Sequence, residues 1–153
     1  MSKSFQKHNH KNCISNSFSE FEKYCEKNNQ KISKVSKKVF EILLESHKAL
    51  GAYDILDKLK NYGFSSQPPI AYRALNFLTE IGFVHKIEKL NAYIACSHPG
   101  KSHKPAFLIC RKCKLVSETT QPQTNRKIVS EAKDSKFSIE NSIIEVIGVC
   151  PNC

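Results

Sequence analysis

Apolar residues recur three and four apart along the first half of the chain, the spacing that places them on one face of a helix. Ser17-Phe18-Ser19-Glu20 has capping-box spacing, and Phe21, Tyr24 and Cys25 behind it form one apolar face, predicting a first helix from residue 17. A second helix is expected from Ser33, with Val35, Val39, Ile42 and Leu43 on its stripe. A third spans Ala52 to Tyr62; Ile55, Leu56 and Leu59 face inward and Gly63 ends it. A fourth opens on Pro68-Pro69, residues suited to a first helical turn, and stops before Gly82. Its inward face is Ala74, Leu75, Leu78 and Ile81. The period then changes. Phe83–Glu88 and Tyr93–Cys96 read as two strands of a hairpin joined by a short polar turn. Helices followed by a two-stranded hairpin are the plan of a winged helix-turn-helix, with the fourth helix in the position that enters a DNA groove.

The remaining pattern is sparser. Residues 1–16 carry Asn, Ser, His and three lysines but no acid, and are expected to form a mobile tail with solvated His8 and His10. Residues 97–104, Ser-His-Pro-Gly-Lys-Ser-His-Lys, have linker composition. Beyond them, Ala106–Cys110 and Leu115–Thr119 read as strands, residues 122–135 as a helix, and Ile139–Val149 as one or two more strands. The expected division is a tail (1–16), a winged-helix unit (17–96), a hinge (97–104) and a small α/β unit (105–153), an α+β architecture. The last unit has about fifty residues, too few for a self-sufficient core, so it needs a metal, disulfides or a partner chain.

Charge sharpens this picture. Lys and Arg number 24 against 14 Asp and Glu, a formal net charge of +10. That excess favours an anionic partner, of which nucleic acid is the commonest. Apolar residues, at 40%, permit a packed core, and no apolar run exceeds five residues, which excludes a membrane-spanning helix. The first residues contain no hydrophobic segment of the secretory kind, so the expected compartment is the cytoplasm. Seven cysteines is an odd count, which in that compartment favours metal ligands over a disulfide framework.

Four of those cysteines fall in two Cys-x-x-Cys knuckles, Cys110-Arg111-Lys112-Cys113 and Cys150-Pro151-Asn152-Cys153, with 36 residues between them. Each knuckle lets two thiolates converge on one ion, and two knuckles make a tetrahedral sulfur site suited to structural zinc. Thiol redox chemistry fits less well, because a redox pair generally opens a helix and Cys153 has no residue after it. A zinc deaminase would need a His-x-Glu element that the chain lacks.

A second group is more scattered: His85, Cys96, His98, His103 and Glu118. If residues 89–92 form the hairpin turn, Glu88 faces Tyr93, and His85 lies across from Cys96 with Cβ atoms about 5 Å apart, a chelating distance. His103 sits in the linker and Glu118 on a strand of the last unit. Spacing alone leaves open that these are ordinary polar positions and that Cys96 is packing.

The run Pro68-Pro69-Ile70-Ala71-Tyr72-Arg73-Ala74-Leu75-Asn76-Phe77-Leu78 is followed by Gly82–Glu88, Asn91–Cys96 and Phe107-Leu108-Ile109-Cys110. Together these resemble the zinc uptake regulator branch of the ferric uptake regulator family, over roughly residues 20–153. The resemblance implies a winged helix joined to an α/β dimerisation domain in a metal-dependent, dimeric transcriptional regulator, usually a repressor. It implies a regulatory zinc held by His85, Cys96, His103 and Glu118, with His98 a bystander. With the four-cysteine site, that makes two Zn2+ per chain. The residue chemistry agrees: one thiolate, two imidazoles and one carboxylate form a closed tetrahedral set. The thiolate disfavours iron and manganese.

The expected partners are a second copy of the chain and a double-stranded palindromic operator, with no membrane. Tyr72, Arg73 and Asn76 project from the fourth helix opposite its apolar face: Arg73 suits a guanine edge or phosphate, Tyr72 a thymine methyl, Asn76 an adenine. The resemblance adds Tyr53. Lys31, Lys34, Lys37 and Lys38 lie in an acid-free stretch suited to phosphates. Three departures from the family stand out. Ser33-Lys34-Val35-Ser36 replaces a Thr-Pro-x-Arg, Ile70-Ala71 replaces Thr-Val, and Lys114 replaces the Gly after the first knuckle. The expectation is a zinc-responsive repressor of zinc-acquisition genes. The rivals are an iron or peroxide sensor of the same family and a zinc-ribbon module without sensing. An enzyme is the weakest reading, because no open metal position or nucleophile–base pair is present.

Overall fold

In a computed structural model, which describes residues 10–65, 67–99, 103–120 and 122–153, four helices lead into a hairpin and a separate three-stranded sheet. The helices are α1 (His10–Lys27), α2 (Lys34–Leu44), α3 (Ala52–Asn61) and α4 (Pro68–Glu80). Strands β1 (Val84–Ile87) and β2 (Ala92–Ala95) form the hairpin around a 3-10 turn at Glu88–Leu90. Strands β3 (Pro105–Cys110) and β4 (Val116–Thr120), helix α5 (Pro122–Asp134) and strand β5 (Ile144–Gly148) follow. The architecture is α+β. No helix among the described residues is long and apolar enough to cross a membrane.

The start of α1 corrects the expected tail. The helix begins at His10, so Ser17 lies inside it and cannot cap it. The reason is packing. Ile14 and Phe18 extend the Phe21–Cys25 face by two further turns and rest on the first core, so burial carries the helix past the local cap signal. Residues 1–9, with His8, lie outside the described residues, as do 100–102 of the linker.

The other helix ends follow their local chemistry. The Ser33 side chain accepts the Ser36 N–H at 3.0 Å, so the cap of α2 survives without the family's proline. Asp54 accepts the Gly51 N–H at 3.1 Å at the start of α3. At the end of α4, Gly82 takes a positive φ of 78°, which lets the Phe83 N–H reach back to the Leu78 carbonyl at 3.0 Å. Phe83 thereby enters the core, where Phe21, Phe40 and Phe83 pack with ring centroids 4.9–5.7 Å apart.

The hairpin register differs from the expected one. His85 pairs with Ile94 and Ile87 with Ala92, while the Cys96 N–H bonds the Phe83 carbonyl at 2.9 Å. The loop is 88–91 rather than 89–92, closed by Asn91 in the left-handed region. Because the shift is two residues, His85 and Cys96 still share a face, now as diagonal neighbours.

The second sheet has the order β4-β3-β5, with β3 antiparallel to β4 and parallel to β5. Of the expected span Ile139–Val149 only β5 is a strand; at 139–143 Asn141 turns locally onto the Ser142 N–H. A small apolar cluster joins the two halves: Ile87 and Ile94 from the hairpin against Phe107, Ile109 and Val116 from the sheet. The segment between α2 and α3 adds backbone contacts, with the Val116 N–H donating to the His47 carbonyl at 3.1 Å.

Candidate metal centres

The parallel pairing of β3 and β5 explains how knuckles far apart in sequence meet. Parallel strands end on the same side, and Cys110 is in register with Gly148. Cys110–Cys113 is the turn after β3 and Cys150–Cys153 leaves β5 from that same end. The four sulfurs lie within 4.8 Å of one another, and Cys113 Sγ is 3.6 Å from Cys150 Sγ. A tetrahedron with bonds of about 2.3 Å has sulfur–sulfur edges near 3.8 Å, so the set fits one zinc ion. The Cys150 N–H donates to Cys110 Sγ at 3.3 Å. Backbone N–H groups of Cys113 and Cys150 hold the Cys110 thiol down, at about 6. That favours the thiolate a metal requires.

Lys114 ends this turn with a φ of 63°. The position needs a left-handed residue, which is why glycine suits it and lysine carries strain. Lys114→Gly is expected to stabilise the zinc-loaded protein by about 0.5–1 kcal/mol, read as a higher urea midpoint.

The second group is brought together from four points along the chain. His85 comes from β1, Cys96 from the end of β2, His103 from the linker and Glu118 from β4. Their ligand atoms also lie within 4.8 Å of one another. Cys96 Sγ is 3.6 Å from His103 Nε2 and 3.8 Å from Glu118 Oε1, and His85 Nε2 is 3.5 Å from Glu118 Oε1. Tetrahedral zinc with nitrogen, oxygen and sulfur ligands has edges of about 3.3–3.5 Å. The exception is His103 Nε2 to Glu118 Oε1, a hydrogen bond of 2.6 Å.

The chemistry of the group tests the fit. His85 Nε2 is buried and makes no hydrogen bond, so a polar atom stands inside the cluster with no proper partner. Glu118 is only 3% exposed. Burial alone would raise its pKa, but His85, the Ser97 N–H at 2.6 Å and His103 outweigh it, and the carboxyl sits at about 2. Burial, with the Glu118 charge beside it, pushes the Cys96 thiol up to about 12. Cys96 must therefore lose a proton to serve as a ligand. These residues fit a closed zinc site. His98 stays at its edge: its N–H donates to Cys96 Sγ at 3.3 Å, and its ring centroid is 6.1 Å from that of His103.

The nucleic-acid candidates lie on α2, α3 and α4 and just before α2. Ala71, Ala74, Leu75 and Leu78 of α4 are buried, and Tyr72, Arg73 and Asn76 are exposed on the opposite side. Tyr53, near the start of α3, is 69% exposed. Lys31 and Lys34 are exposed, and Lys31 and Arg73 line one cleft between α2 and α4. Lys37 and Lys38 are not simple solvated cations. Lys37 pairs with Glu22 at 3.0 Å, and Lys38 pairs with Glu41 at 2.6 Å and lies over the Tyr62 ring. The acid-free run conceals this because both partners sit on neighbouring helical turns or another helix.

Three comparisons bear on this arrangement. The family model described as "Ferric uptake regulator family" matches residues 26–147. The zinc uptake regulation protein of Escherichia coli (strain K12) is 33% identical over 133 residues, 86% of this chain and 78% of that protein. A zinc uptake regulator solved with zinc and DNA superposes with a TM-score of 0.88 at 31% identity, covering 92% of this chain and 94% of that one. The crystal structure of holo XcZur gives 0.81 at 31% identity, covering 89% and 95%, and that of apo XcZur gives 0.55 at 30% identity, covering 93% and 98%. This chain superposes better on the holo form than on the apo form.

Proposed function

This chain belongs to the ferric uptake regulator family, and we propose that it is a zinc-responsive, homodimeric repressor that binds DNA and controls genes for zinc uptake. The observation that carries this reading is the position of the mixed site. Two ligands lie on the hairpin of a winged helix, one in the linker and one on the separate sheet. The single thiolate favours zinc over iron or manganese. We assign His85, Cys96, His103 and Glu118 to a regulatory zinc, and Cys110, Cys113, Cys150 and Cys153 to a structural one.

Zinc held at the mixed site would supply a link between the two halves. The residues themselves do the rest. His85 and Cys96 are fixed to the hairpin, so their position reports where α4 points. Glu118 is fixed to the sheet. The free energy passed to DNA is limited to the difference in zinc affinity between joined and open arrangements, and couplings are typically about 1–3 kcal/mol, or roughly 5- to 150-fold in DNA affinity.

The functional division follows: a reading unit ending at residue 96 and reaching back to α1, a hinge at 97–104 and a dimerisation unit at 105–153. The dimerisation surface is β5 with α5. β5 is an edge strand, Val146 and Ile147 are half-exposed on its two faces, and Ile128 and Val129 of α5 and Phe137 just after it are also exposed. A second copy would cover this apolar surface. Two-fold symmetry then requires a palindromic operator with half-sites about 10 base pairs or a multiple apart. Such a regulator works in the cytoplasm, where its thiols stay reduced.

For DNA, α4 presents Arg73 and Asn76 to base edges and Tyr72 to a thymine methyl, with Tyr53 beside them. Lys31 and Lys34 face phosphates, and Lys37 and Lys38 join them if their carboxylate partners yield. Arg73→Ala is expected to weaken operator binding by about 1–3 kcal/mol, roughly 5- to 150-fold, with zinc content unchanged. Unchanged operator affinity would remove α4 from the reading role. The whole reading is tested by titrating labelled palindromic DNA at fixed salt against buffered free zinc. Binding that ignores zinc once the four-thiolate site is full would favour a non-sensing zinc ribbon. Binding driven by iron in place of zinc would favour the iron-sensor branch.

A further inference from the structure

One row across the sheet carries three side chains on a single face. Phe107 of β3 is in register with Glu118 of β4 and with Glu145 of β5, and directly opposite residues share a face. Glu118 is the carboxylate of the mixed site. Phe107 is buried, its ring 5.5 Å from the His85 imidazole. At the other end of the row, Glu145 reaches the turn of the hairpin. Its Oε1 accepts the Glu88 N–H at 2.6 Å and its Oε2 the Lys89 N–H at 2.9 Å.

The dimensions agree. Two inter-strand spacings place Glu118 and Glu145 about 10 Å apart, and three residues of extended strand place His85 and Glu88 about 10 Å apart. β1 therefore lies along the row, facing Glu118 at His85 and Glu145 at Glu88. The first N–H groups of a 3-10 turn have no partner within the turn, and here one carboxylate from another part of the chain takes two of them.

We propose that Glu145 is a second tether between the two halves, made without metal, and that it sets how much zinc the protein needs to reach its DNA-binding arrangement. The proposal rests on the functional reading above. A site with ligands from both halves is complete only when the halves are together, so its apparent affinity scales with the fraction already joined. The Glu145 hydrogen bonds exist only in the joined form and raise that fraction. Glu88 and Lys89 are exposed, so water replaces the carboxylate when it is removed, and the hairpin itself persists.

The test uses the full-length dimer as wild type, Glu145→Ala, Glu145→Gln and Glu140→Ala, the last an exposed acid outside the sheet. One readout is anisotropy of palindromic DNA against buffered free zinc. The other is amide hydrogen exchange at Glu88 and Lys89 in protein holding only its four-thiolate zinc. In Glu145→Ala, protection of both amides should fall and the zinc midpoint should rise about tenfold, with bound zinc at saturation unchanged. Glu145→Gln should lie between, and Glu140→Ala should match wild type. Unchanged protection would show that no tether exists. Lost protection with an unmoved midpoint would show that it does not set the threshold. If wild type itself ignores zinc, the functional reading fails, while the exchange data still decide whether the tether forms.

Discussion

Cys150→Ser should leave the four-thiolate centre without zinc and unfold most of residues 105–153. The expected readings are loss of the four-thiolate zinc and, because Glu118 lies on β4 of the same unit, of the regulatory zinc too, with loss of far-UV strand signal, of dimer mass in sedimentation and of DNA binding. The magnitudes say why. In the apolar cluster at this sheet, the fully buried contributions from residues 105–153 are Phe107, Ile109 and Val116, alongside Ile87 and Ile94 of the hairpin. Three such side chains are too small a core to hold about fifty residues on their own, whereas a structural zinc contributes about 10–16 kcal/mol. The pairing of β5 also depends on the knuckles, because Cys150 lies two residues past its last strand residue and bonds Cys110 Sγ. A variant that kept its zinc, its strands and its dimer would show that a partner chain, rather than the metal, holds this unit together.

How much of this was legible beforehand depended on whether the determining contacts were local. Ser33, Pro68, Gly63 and Gly82 set helix ends through bonds within a few residues, and the four long helices and the hairpin were readable. The two Cys-x-x-Cys pairs were readable because zinc dictates their spacing. What failed was set from a distance. The α1 start depends on Ile14 and Phe18 reaching a core built by later residues. The hairpin loop begins one residue early, where its first two N–H groups meet a carboxylate 57 and 56 residues away and Asn91 takes the left-handed closure. No pattern within the hairpin shows that. The mixed site survived the register error because a two-residue slip preserves faces. The pairing of Lys37 with Glu22, fifteen residues earlier on another helix, is likewise not visible in the local pattern.

Cys96→Ser should separate sensing from folding. Serine keeps the volume close and its Oγ can accept the His98 N–H that Cys96 Sγ accepts at 3.3 Å. The core beneath is untouched, and the four-thiolate zinc remains, so thermal melting and dimer mass should hold while bound zinc falls by one per chain. Affinity for the regulatory ion should drop by at least about 100-fold, since even groups that only support a ligand cost 10–100-fold when removed. At a free zinc concentration that saturates wild type, operator affinity should then fall by about 5- to 150-fold, the range of ordinary coupling energies. His103→Ala should do the same from the linker side. Glu118→Ala is the poorer variant, because Glu118 also accepts the Ser97 N–H and faces both imidazoles in a buried setting, so its loss mixes stability with sensing. Selectivity is the sharper readout. With the thiolate replaced by a hydroxyl, the donor set shifts toward harder cations, and the preference for zinc over iron should narrow. An operator titration by Cys96→Ser that matched wild type in both zinc midpoint and metal preference would detach the mixed site from DNA binding altogether, because no other set of ligands among the described residues spans the hairpin, the linker and the sheet.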